Sequence, residues 1–476
     1  FILLLAPLVH REEDSLTSLG SALALLLCIN PCSALSISLQ LSFGAAAGIL
    51  LFAPGLRQRM LAGLPERGIA GALCRTVCSI LSASLGAMTF TLPLTALHFG
   101  LISLVSPLSN ALCLWIVSLL FVGGYLTLGL GALSLPLGKA AGSVLAFGDR
   151  FVFAVARTLS ALPGAAVYTE NRLYLWWLLL AYVLLLTALL VSRLRKKEPP
   201  LLRVGSAVIL TLCLCVGLQG LQRREPGLSV SVIDVGQGAC TLLERGDAAV
   251  MVDCGSINAL DNAGDRAADY ALSRGRRELS ALILTHLHRD HCDGVGQLLS
   301  QLRVHRLYLP RGQEPAEEAE ILALAERYGT EAVFVDDELC LSGEGLRLRL
   351  NAPPTFGDRE AGLFVLGSCG EFDVLITGDA DASMERRYVQ LSPPGDIEIL
   401  LVGHHGSSGS TAERFLDAVQ ADAAVISVGY NTYGHPTAAT LERLAARNIS
   451  VYRTDENGTV RIRGEENGSF QIEKHR

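Results

Sequence analysis

Charged residues are scarce in this chain. Asp, Glu, Lys and Arg make up only 18% of its 476 residues, whereas 50% are hydrophobic and the mean hydropathy is +0.40. An ordinary soluble enzyme is much less apolar. The scarcity of charge therefore excludes a wholly soluble protein and predicts a chain that is partly embedded in a membrane, while the length predicts more than one domain.

The second half also lacks cysteines with paired spacing. Seven of the twelve cysteines fall between Cys28 and Cys215, and the other five show no paired spacing: Cys240, Cys254, Cys292, Cys340 and Cys369. This pattern favours small buried hydrophobic side chains over a disulfide framework. A secretory signal with a cleavage site is missing too. Because Phe1 begins within an apolar run, we expect the natural protein to extend further upstream.

A basic surplus is missing from the second half. Residues 1–225 hold 16 Lys and Arg against 8 Asp and Glu (net +8), whereas residues 226–476 hold 23 against 38 (net −15). This shift predicts a domain boundary near Pro226. If the second domain binds a polyanion, the attraction must therefore come from metal ions and a few local groups. The candidate groups are Arg289, Arg311, Ser407 and Ser408.

Long apolar runs fill the first half. Residues 173–192 are the clearest membrane span, because a helix of that length, rising about 1.5 Å per residue, crosses a hydrocarbon core of about 30 Å. Further candidate spans are residues 16–29, 33–54, 69–90, 94–133 and 204–220. Prolines interrupt them, either as ordinary kinks in a bundle or as bends that line a pore: Pro31, Pro93, Pro107 and Pro136. Three polar residues within these runs are expected to form hydrogen bonds between helices: Gln40, His98 and Asn110.

A basic cluster follows the clearest span. Arg193, Arg195, Lys196 and Lys197 lie in a short loop, and the positive-inside rule places such loops in the cytoplasm. The next candidate span, 204–220, then leads outward, which makes the acidic half extracytoplasmic. The alternative is that 204–220, which is short and contains glycines, forms a re-entrant or interfacial segment.

Three histidines and two aspartates are gathered in residues 285–294, THLHRDHCDG, between a predicted buried strand and a predicted helix. His286 and His288 alternate on an extended segment, so both imidazoles can point to one side. Asp290 and His291 follow where the chain turns. The HxHxDH order is typical of metal ligands, and four ligands from one loop can serve two ions.

Later strands supply further ligand-type residues. Asp379 follows the strand predicted in residues 373–381, where one carboxylate could bridge two cations. Two more apolar strands are each followed by histidines, in a layered α/β pattern: His404, His405 and His435. The convergence of these strand ends on one site is the simplest interpretation.

This donor set predicts two divalent ions, Zn²⁺ or Mn²⁺. Ions about 3.5–4 Å apart would lower the pKa of a water between them and neutralise charge on a phosphodiester. The predicted catalytic residues are Asp290, Asp379 and His405. Either His405 or His435 could protonate the leaving oxygen, and either could equally be the last ligand; we assign His435 as a ligand.

The motifs together resemble one family. DVGQG (234–238), VDCG (252–255), THLHRDHCDG, TGDAD (377–381), GHHGSSGS (403–410) and YGHPT (433–437) are similar to the metallo-β-lactamase-like domain of ComEC-type DNA-internalisation competence proteins. Residues 29–52 resemble the competence domain of the same family. The resemblance implies a polytopic α-helical membrane bundle at 1–225, followed by an α/β metallo-β-lactamase-fold domain, an αββα sandwich, at 226–476.

The resemblance also implies a function. Its members are channels in the inner membrane that take up single-stranded DNA in natural transformation, with an extracytoplasmic nuclease domain that degrades the strand left outside. The implied partners are single-stranded DNA, membrane lipid, and the DNA-receptor and translocation-motor proteins of the competence machinery, with a homo-oligomer left open. Two alternatives remain: a membrane-tethered hydrolase of a small ester or lactam, and a channel with an inactive scaffold domain.

The ligand pattern departs from many metallo-β-lactamase-fold hydrolases, which have a further histidine between the HxHxDH loop and the bridging aspartate. Here the one histidine in that interval is His305, which we interpret as non-ligating. The first ion then has His286, His288 and Asp379, with His404 as an open fourth ligand. In DVGQG, Asp234 and Gln237 are candidate substrate-binding residues, although Gly236 and Gly238 could simply permit a tight turn.

Overall fold

A computed structural model describes residues 14–62, 68–162, 164–168, 172–196, 201–222, 227–257, 262–311, 315–352 and 362–475. The chain divides into two compact units, Phe1–Leu212 and Cys213–Arg476. The division falls within the helix Leu201–Gln222, and the predicted boundary at Pro226 lies outside the described residues.

Helices dominate the described part of the first half. They are α1 (Ser15–Ile29), α2 (Ile37–Leu61), α3 (Gly68–Phe99), α4 (Ser106–Leu133), α5 (Leu135–Ser160), α6 (Arg172–Leu194) and α7 (Leu201–Gln222). Among the described residues, four segments are long and apolar enough to cross a membrane: Ile37–Leu61, Gly71–Phe99, Ser106–Leu133 and Leu173–Ser192. Two shorter apolar segments are Ser15–Ile29 and Ser206–Leu221. The prediction of several spans is confirmed.

The predicted break between two spans at Pro93 is wrong. Helix α3 continues through Pro93 to Phe99, because membrane helices often tolerate an internal proline. The chain turns instead at Gly100, whose φ of +62° favours glycine. The strand that follows, β1 (Leu101–Ser103), pairs antiparallel with β2 (Ala166–Tyr168). The other three prolines stand in the first turns of helical segments, where a missing N–H costs little: Pro31, Pro107 and Pro136.

The polar residues of the helical unit form the predicted hydrogen bonds. His98 Nε2 lies 2.9 Å from Gln40 Oε1, which joins α3 to α2. Asn110 Nδ2 donates to Ser84 Oγ at 3.1 Å, which joins α4 to α3. In an apolar environment such pairs satisfy groups that would otherwise be costly to bury, so these residues serve helix packing.

Two β-sheets form the centre of the second unit. The first contains β3 (Leu228–Val232), β4 (Thr241–Arg245), β5 (Ala248–Val252), β6 (Glu278–Ile283), β7 (Arg303–Pro310), β8 (Glu331–Val335), β16 (Thr459–Gly464) and β17 (Phe470–His475), in the order β17-β16-β3-β4-β5-β6-β7-β8. The second contains β9 (Glu338–Gly343), β10 (Leu346–Asn351), β11 (Phe364–Cys369), β12 (Phe372–Ile376), β13 (Ile399–Leu401), β14 (Ala423–Ile426) and β15 (Ser450–Arg453), in the order β15-β14-β13-β12-β11-β10-β9.

Helices cover the outer faces of both sheets. The first sheet packs against α8 (Ala263–Ser273), α10 (Val295–Gln301) and α11 (Pro315–Tyr328); the second packs against α12 (Ala382–Leu391), α13 (Glu413–Val419) and α14 (Ala438–Ala445). Two single-turn helices are α9 (Arg289–Cys292) and α15 (Thr454–Asn457). Apolar residues of the two inner faces form a common core, as Val230 and Ile283 do with Val365 and Val425. The predicted αββα sandwich is confirmed.

Parallel pairing fixes the edge at which the polar loops emerge. Strands β5 to β8 run parallel in the first sheet, and β12 to β15 run parallel in the second. The carboxyl ends of parallel neighbours lie side by side, as Val252 and Ile283 do in register. Residues that directly follow these strands are therefore brought together.

Candidate metal centre

The candidate ligands follow strand ends in both sheets. The first sheet supplies His286, His288, Asp290 and His291 from the segment between β6 and α10. The second supplies Asp379 after β12, and His404 and His405 from a 3₁₀ turn, Gly403–Gly406, after β13. The predicted convergence of separate strand ends is therefore what the structure contains.

Two groups of ligand atoms, each within 4.8 Å of one another, lie at this edge. One group is His286, His288 and Asp290; the other is Asp290, His291, Asp379 and His405. Asp290 belongs to both groups. Imidazole nitrogens and carboxylate oxygens at such spacing suit Zn²⁺ or Mn²⁺.

Four imidazoles surround the Asp379 carboxylate. His291 Nε2 lies 3.1 Å from Oδ1, and His405 Nε2 lies 4.0 Å from the same oxygen. His404 Nε2 lies 3.5 Å and His286 Nε2 lies 3.7 Å from Oδ2. A carboxylate that is central to so many nitrogen donors can contribute one oxygen to each of two ions, as the sequence predicted.

Unsatisfied atoms test whether these residues fit a metal. Within the described part of the chain, several buried ligand atoms make no hydrogen bond: His286 Nε2, His291 Nε2, His405 Nε2 and Asp379 Oδ1. Buried polar atoms normally form hydrogen bonds, because leaving such an atom without a partner costs about 1–3 kcal/mol. Cations held by the two groups would satisfy all four atoms, so the donor set fits bound metal.

Asp253, which sequence reasoning did not include among the site residues, supports His291. Its Oδ2 lies 2.8 Å from His291 Nδ1, and its two oxygens also accept from Thr285 N at 2.7 Å and Thr285 Oγ1 at 2.8 Å. Its φ of +60° is uncommon outside glycine. A carboxylate behind a histidine fixes which ring nitrogen faces the metal. The available signal was an aspartate directly after a strand, in VDCG.

The pKa values of the centre reflect this crowding of charges. Burial alone would lower the pKa of His291, but the Asp253 and Asp379 carboxylates outweigh it and raise that pKa well above its ordinary value. For His286, burial together with nearby His291 lowers the pKa well below the ordinary value. Burial opposes the charge on Asp290 and Asp379, yet His405 and His291 bring the pKa of Asp290 down to about 2, and His291 holds that of Asp379 well below its usual range.

His405 has the geometry of a ligand. Its Nδ1 lies 2.8 Å from the Ser427 carbonyl oxygen, which can only accept, so Nδ1 carries the hydrogen. The lone pair on Nε2 is then directed inward, 3.4 Å from Asp290 Oδ2. The side chain is 4% exposed. These contacts are those expected of a ligand, one of the two roles predicted for His405.

His404 and His435 lie at the outer side of the centre. His404 is 45% exposed in its side chain, and its ring lies 5.7 Å from that of His435. Neither belongs to the two close groups of ligand atoms. Both His404 and His405 have left-handed backbones, with φ of +50° and +52°. Such strain persists where surrounding contacts impose it, and it directs the two consecutive imidazoles to different positions.

Asp234 and Gln237, the candidate substrate-binding residues of DVGQG, make local contacts. Asp234 Oδ1 accepts from Gly236 N at 3.1 Å, closing its own turn. Gln237 is 1% exposed, and its Oε1 accepts from Gly429 N at 3.2 Å. Gly429 packs so closely on Gly236 that a Cβ would approach its carbonyl carbon to 2.4 Å. In these contacts the motif joins its turn to the loop that carries His435.

Ser407 and Ser408 lie in the loop after His405, with Ser407 half-buried and Ser408 exposed. Arg443 of α14 binds this loop by donating to the carbonyls of Thr411 at 3.0 Å and Ser410 at 2.7 Å. Glu385 of α12 accepts from the amides of Thr411 and of Ala412. Sequence reasoning missed both Arg443 and Glu385, since their partners are backbone groups. The loop is therefore fixed from two helices.

The remaining predicted residues belong to neither of the two groups of ligand atoms. Arg289 is exposed at the start of α9, directly beside Asp290. His305 Nε2 lies 2.9 Å from Glu278 Oε2 on the first sheet, and both side chains are exposed. Arg311 pairs with Asp336 at 3.1 Å and lies over the Phe334 ring.

Two families match successive parts of the chain. Residues 1–195 match the family described as Competence protein, and residues 233–430 match the Metallo-beta-lactamase superfamily. The order of the two agrees with the order of the two units described above.

Similarity to individual proteins extends over most of the chain. ComE operon protein 3 of Bacillus subtilis is 27% identical over 99% of this chain and 61% of its own length. Competence protein ComA of Neisseria gonorrhoeae is 28% identical over 93% of this chain and 58% of its own length. The chain thus spans about three-fifths of each of these relatives. Among solved structures, the metallo-beta-lactamase fold protein YhfI of Bacillus subtilis is similar at 16% identity and a TM-score of 0.36, over 52% of this chain and 100% of its own.

Proposed function

Since this chain consists of a competence-protein domain followed by a domain of the metallo-beta-lactamase superfamily, we propose that it is a membrane channel for single-stranded DNA and that its second unit is a metal-dependent nuclease. The similarity to competence proteins supports a role in DNA uptake. The proposal adds that the nuclease domain is extracytoplasmic and degrades the strand that is not transported. Its expected partners are the DNA-receptor and translocation-motor proteins of the competence machinery and membrane lipid, with a homo-oligomer left open.

One observation carries the nuclease proposal: two groups of ligand atoms share Asp290 and surround Asp379. Two ions held there would lower the pKa of a water molecule and neutralise charge on a phosphodiester. His286 and His288 would hold one ion, and His291 and His405 the other. Asp290 and Asp379 would contribute oxygens to both.

Other residues of the centre orient the ligands and handle the proton. Asp253 and the Ser427 carbonyl hold the outward hydrogens of His291 and His405, so each ring presents its Nε2 to the ion. His404, which is exposed at the outer side of the centre with its Nε2 3.5 Å from Asp379 Oδ2, would be placed to donate a proton to the leaving oxygen. His435, beside it, stays the alternative donor or an outer ligand.

The decisive experiment measures metal and cleavage together. The full chain, purified in detergent, is tested on end-labelled single-stranded DNA with Mn²⁺ or Zn²⁺. We expect cleavage and up to two retained ions per chain in the wild type and in His305→Ala, the matched control. Asp379→Ala should lose ions and cleavage. Full cleavage by metal-depleted Asp379→Ala would contradict the two-metal proposal.

Two further assays separate the alternatives. Hydrolysis of a small ester or lactam without cleavage of DNA would identify a tethered hydrolase of another class. Metal-free protein that is inactive on every substrate, yet restores transformation in a strain that lacks its own uptake channel, would identify a channel with an inactive scaffold domain.

A further inference from the structure

The loop between β14 and α14 is held in place but carries two protruding tyrosines. Asn431 Nδ2 donates to the carbonyls of Gly429 at 2.9 Å and of His435 at 2.8 Å, and Asn431 Oδ1 accepts from His435 N at 3.0 Å. Thr437 N donates at 2.9 Å to the carbonyl of Gly406, the residue that directly follows His404 and His405. The backbone of the loop is thus anchored to the wall of the metal centre.

Tyr430 and Tyr433 project from this anchored loop. Their exposed fractions are 85% and 63%. Single exposed hydrophobic residues are ordinary on a protein surface and need no explanation. Two large aromatic side chains three residues apart on an anchored loop beside a candidate active site are a different arrangement, because an aromatic side chain with few rotatable bonds presents a flat face at low entropic cost.

A continuous series of rings leads from Tyr433 to the centre. The Tyr433 ring lies 6.0 Å from the ring of His435 with an interplanar angle of 35°. His435 lies 5.7 Å from His404, whose Nε2 is 3.5 Å from Asp379. Two ring-to-ring contacts therefore connect Tyr433 with the imidazole that lies beside Asp379.

The negative charge of the second half favours DNA binding by stacking of bases on uncharged aromatic rings near the metal centre. The second half of the chain has a net charge of −15, which repels a polyanion. Proteins that bind single strands without sequence preference stack successive bases on aromatic side chains, and every base has a suitable face. Such stacking depends little on net charge, so it can supply the affinity that the acidic domain lacks.

We propose that Tyr433 is a stacking platform for a nucleobase of the single strand held at the metal centre, with Tyr430 extending the platform by one base. The proposal rests on the proposed function, because it assigns a binding role to residues beside the same site. It predicts a substrate preference: strands with bases, of any sequence, are bound in preference to strands without them.

The test compares oligonucleotides with and without bases. The full chain in detergent is titrated with a fluorescent single-stranded oligonucleotide and with an oligomer of the same length made of abasic nucleotides, and cleavage of both is followed with Mn²⁺. The variants are Tyr433→Ala, Tyr433→Phe and, as a matched control, Tyr328→Ala, which removes a partly exposed tyrosine from α11.

Tyr433→Ala should weaken binding of the normal oligonucleotide, and raise KM for its cleavage, by about tenfold, with little change in kcat. Tyr433→Phe and Tyr328→Ala should behave as the wild type. All four proteins should treat the abasic oligomer alike. An alanine variant that binds the normal strand as tightly as the wild type would overturn the platform, as would an equal loss on the abasic strand.

Failure of the nuclease proposal would look different. In that case the wild type would bind DNA without cleaving it, and the binding titration alone would decide the role of Tyr433. Selective loss of base-dependent binding in Tyr433→Ala would then support a platform on a non-cleaving domain.

Discussion

Asp253 Oδ2 lies 2.8 Å from His291 Nδ1, and the side chains of both residues are 2% exposed. The same carboxylate also accepts from the amide and the hydroxyl of Thr285. Asp253 contacts no candidate ion position itself, yet it determines which nitrogen of His291 faces Asp379. The pair therefore links the end of β5 to the ligand loop after β6.

Replacing Asp253 should weaken metal binding without removing a ligand. Asp253→Asn keeps the shape of the side chain but loses the charge that stabilises the Nδ1 hydrogen of His291. We expect a 10- to 100-fold loss of metal affinity, measured by competition with a chromophoric chelator. Asp234→Asn is the matched control, because that aspartate closes its own turn. Equal affinity in Asp253→Asn and the wild type would rule out the supporting role.

Metal binding should release a proton from His291. Because its pKa is raised well above the ordinary value, the ion-free protein holds a proton on this imidazole that the metal must displace. The affinity should therefore rise as pH increases toward that pKa and become level above it. Calorimetry in two buffers with different ionisation enthalpies measures the released proton. In Asp253→Asn the dependence should move to lower pH; an unchanged profile would be contrary evidence.

Arg443 should matter to activity although it lies outside the centre. Arg443→Met removes donors to the Ser410 and Thr411 carbonyls, so the loop that carries Ser407 and Ser408 is held by fewer hydrogen bonds. We expect roughly a tenfold lower kcat/KM on DNA with metal content retained. Arg447→Met is the control, because Arg447 lies in the turn after α14 and pairs with Asp417. Equal activity of both variants would contradict the prediction.

Arg289 should contribute to DNA binding alone. It is exposed next to Asp290, so Arg289→Ala should retain both ions while reducing the slope of log affinity against log salt by about one. Arg311→Ala provides the comparison, since its guanidinium is paired with Asp336. Loss of metal from Arg289→Ala would show instead that this residue maintains the ligand loop.

Membrane orientation can be tested with reporter fusions. In the structure Arg193 lies within α6, Arg195 and Lys196 directly follow that helix, and Lys197 lies outside the described residues. By the positive-inside rule a reporter after Lys197 should be cytoplasmic and one after Arg476 extracytoplasmic. Cytoplasmic activity of the second reporter would exclude an external nuclease and support the re-entrant alternative for residues 204–220.

Periodicity and strand-end position made much of the second unit predictable. The apolar strands before Asp379 and before His404 were evident because short hydrophobic runs ended at glycine and polar residues. Asp253 stands at an equivalent position, but its partner could not be inferred, since the contact with His291 depends on parallel pairing of β5 with β6. The Ser427 carbonyl that orients His405 has no sequence signature at all.

In the helical half, tertiary context also determined the features that the sequence did not predict. A proline usually marks a helix boundary, yet Pro93 lies within α3 because the surrounding helices tolerate the missing hydrogen bond. Helix α5 carries four charged residues, Lys139, Asp149, Arg150 and Arg157, which is why its sequence was not identified as a span.

The ligands of the centre come from two sheets that are distant in the chain. His291 belongs to the first sheet and His405 to the second, and their rings lie 5.4 Å apart. An ion between them would bind only after both sheets have folded and packed, so it would stabilise the native state and not the unfolded chain. At a free ion concentration one hundred times Kd, mass action adds about 2.7 kcal/mol to the free energy of unfolding. The metal would thus act as a reversible cross-link between the two layers, and chelation would loosen the sandwich as well as stop the chemistry.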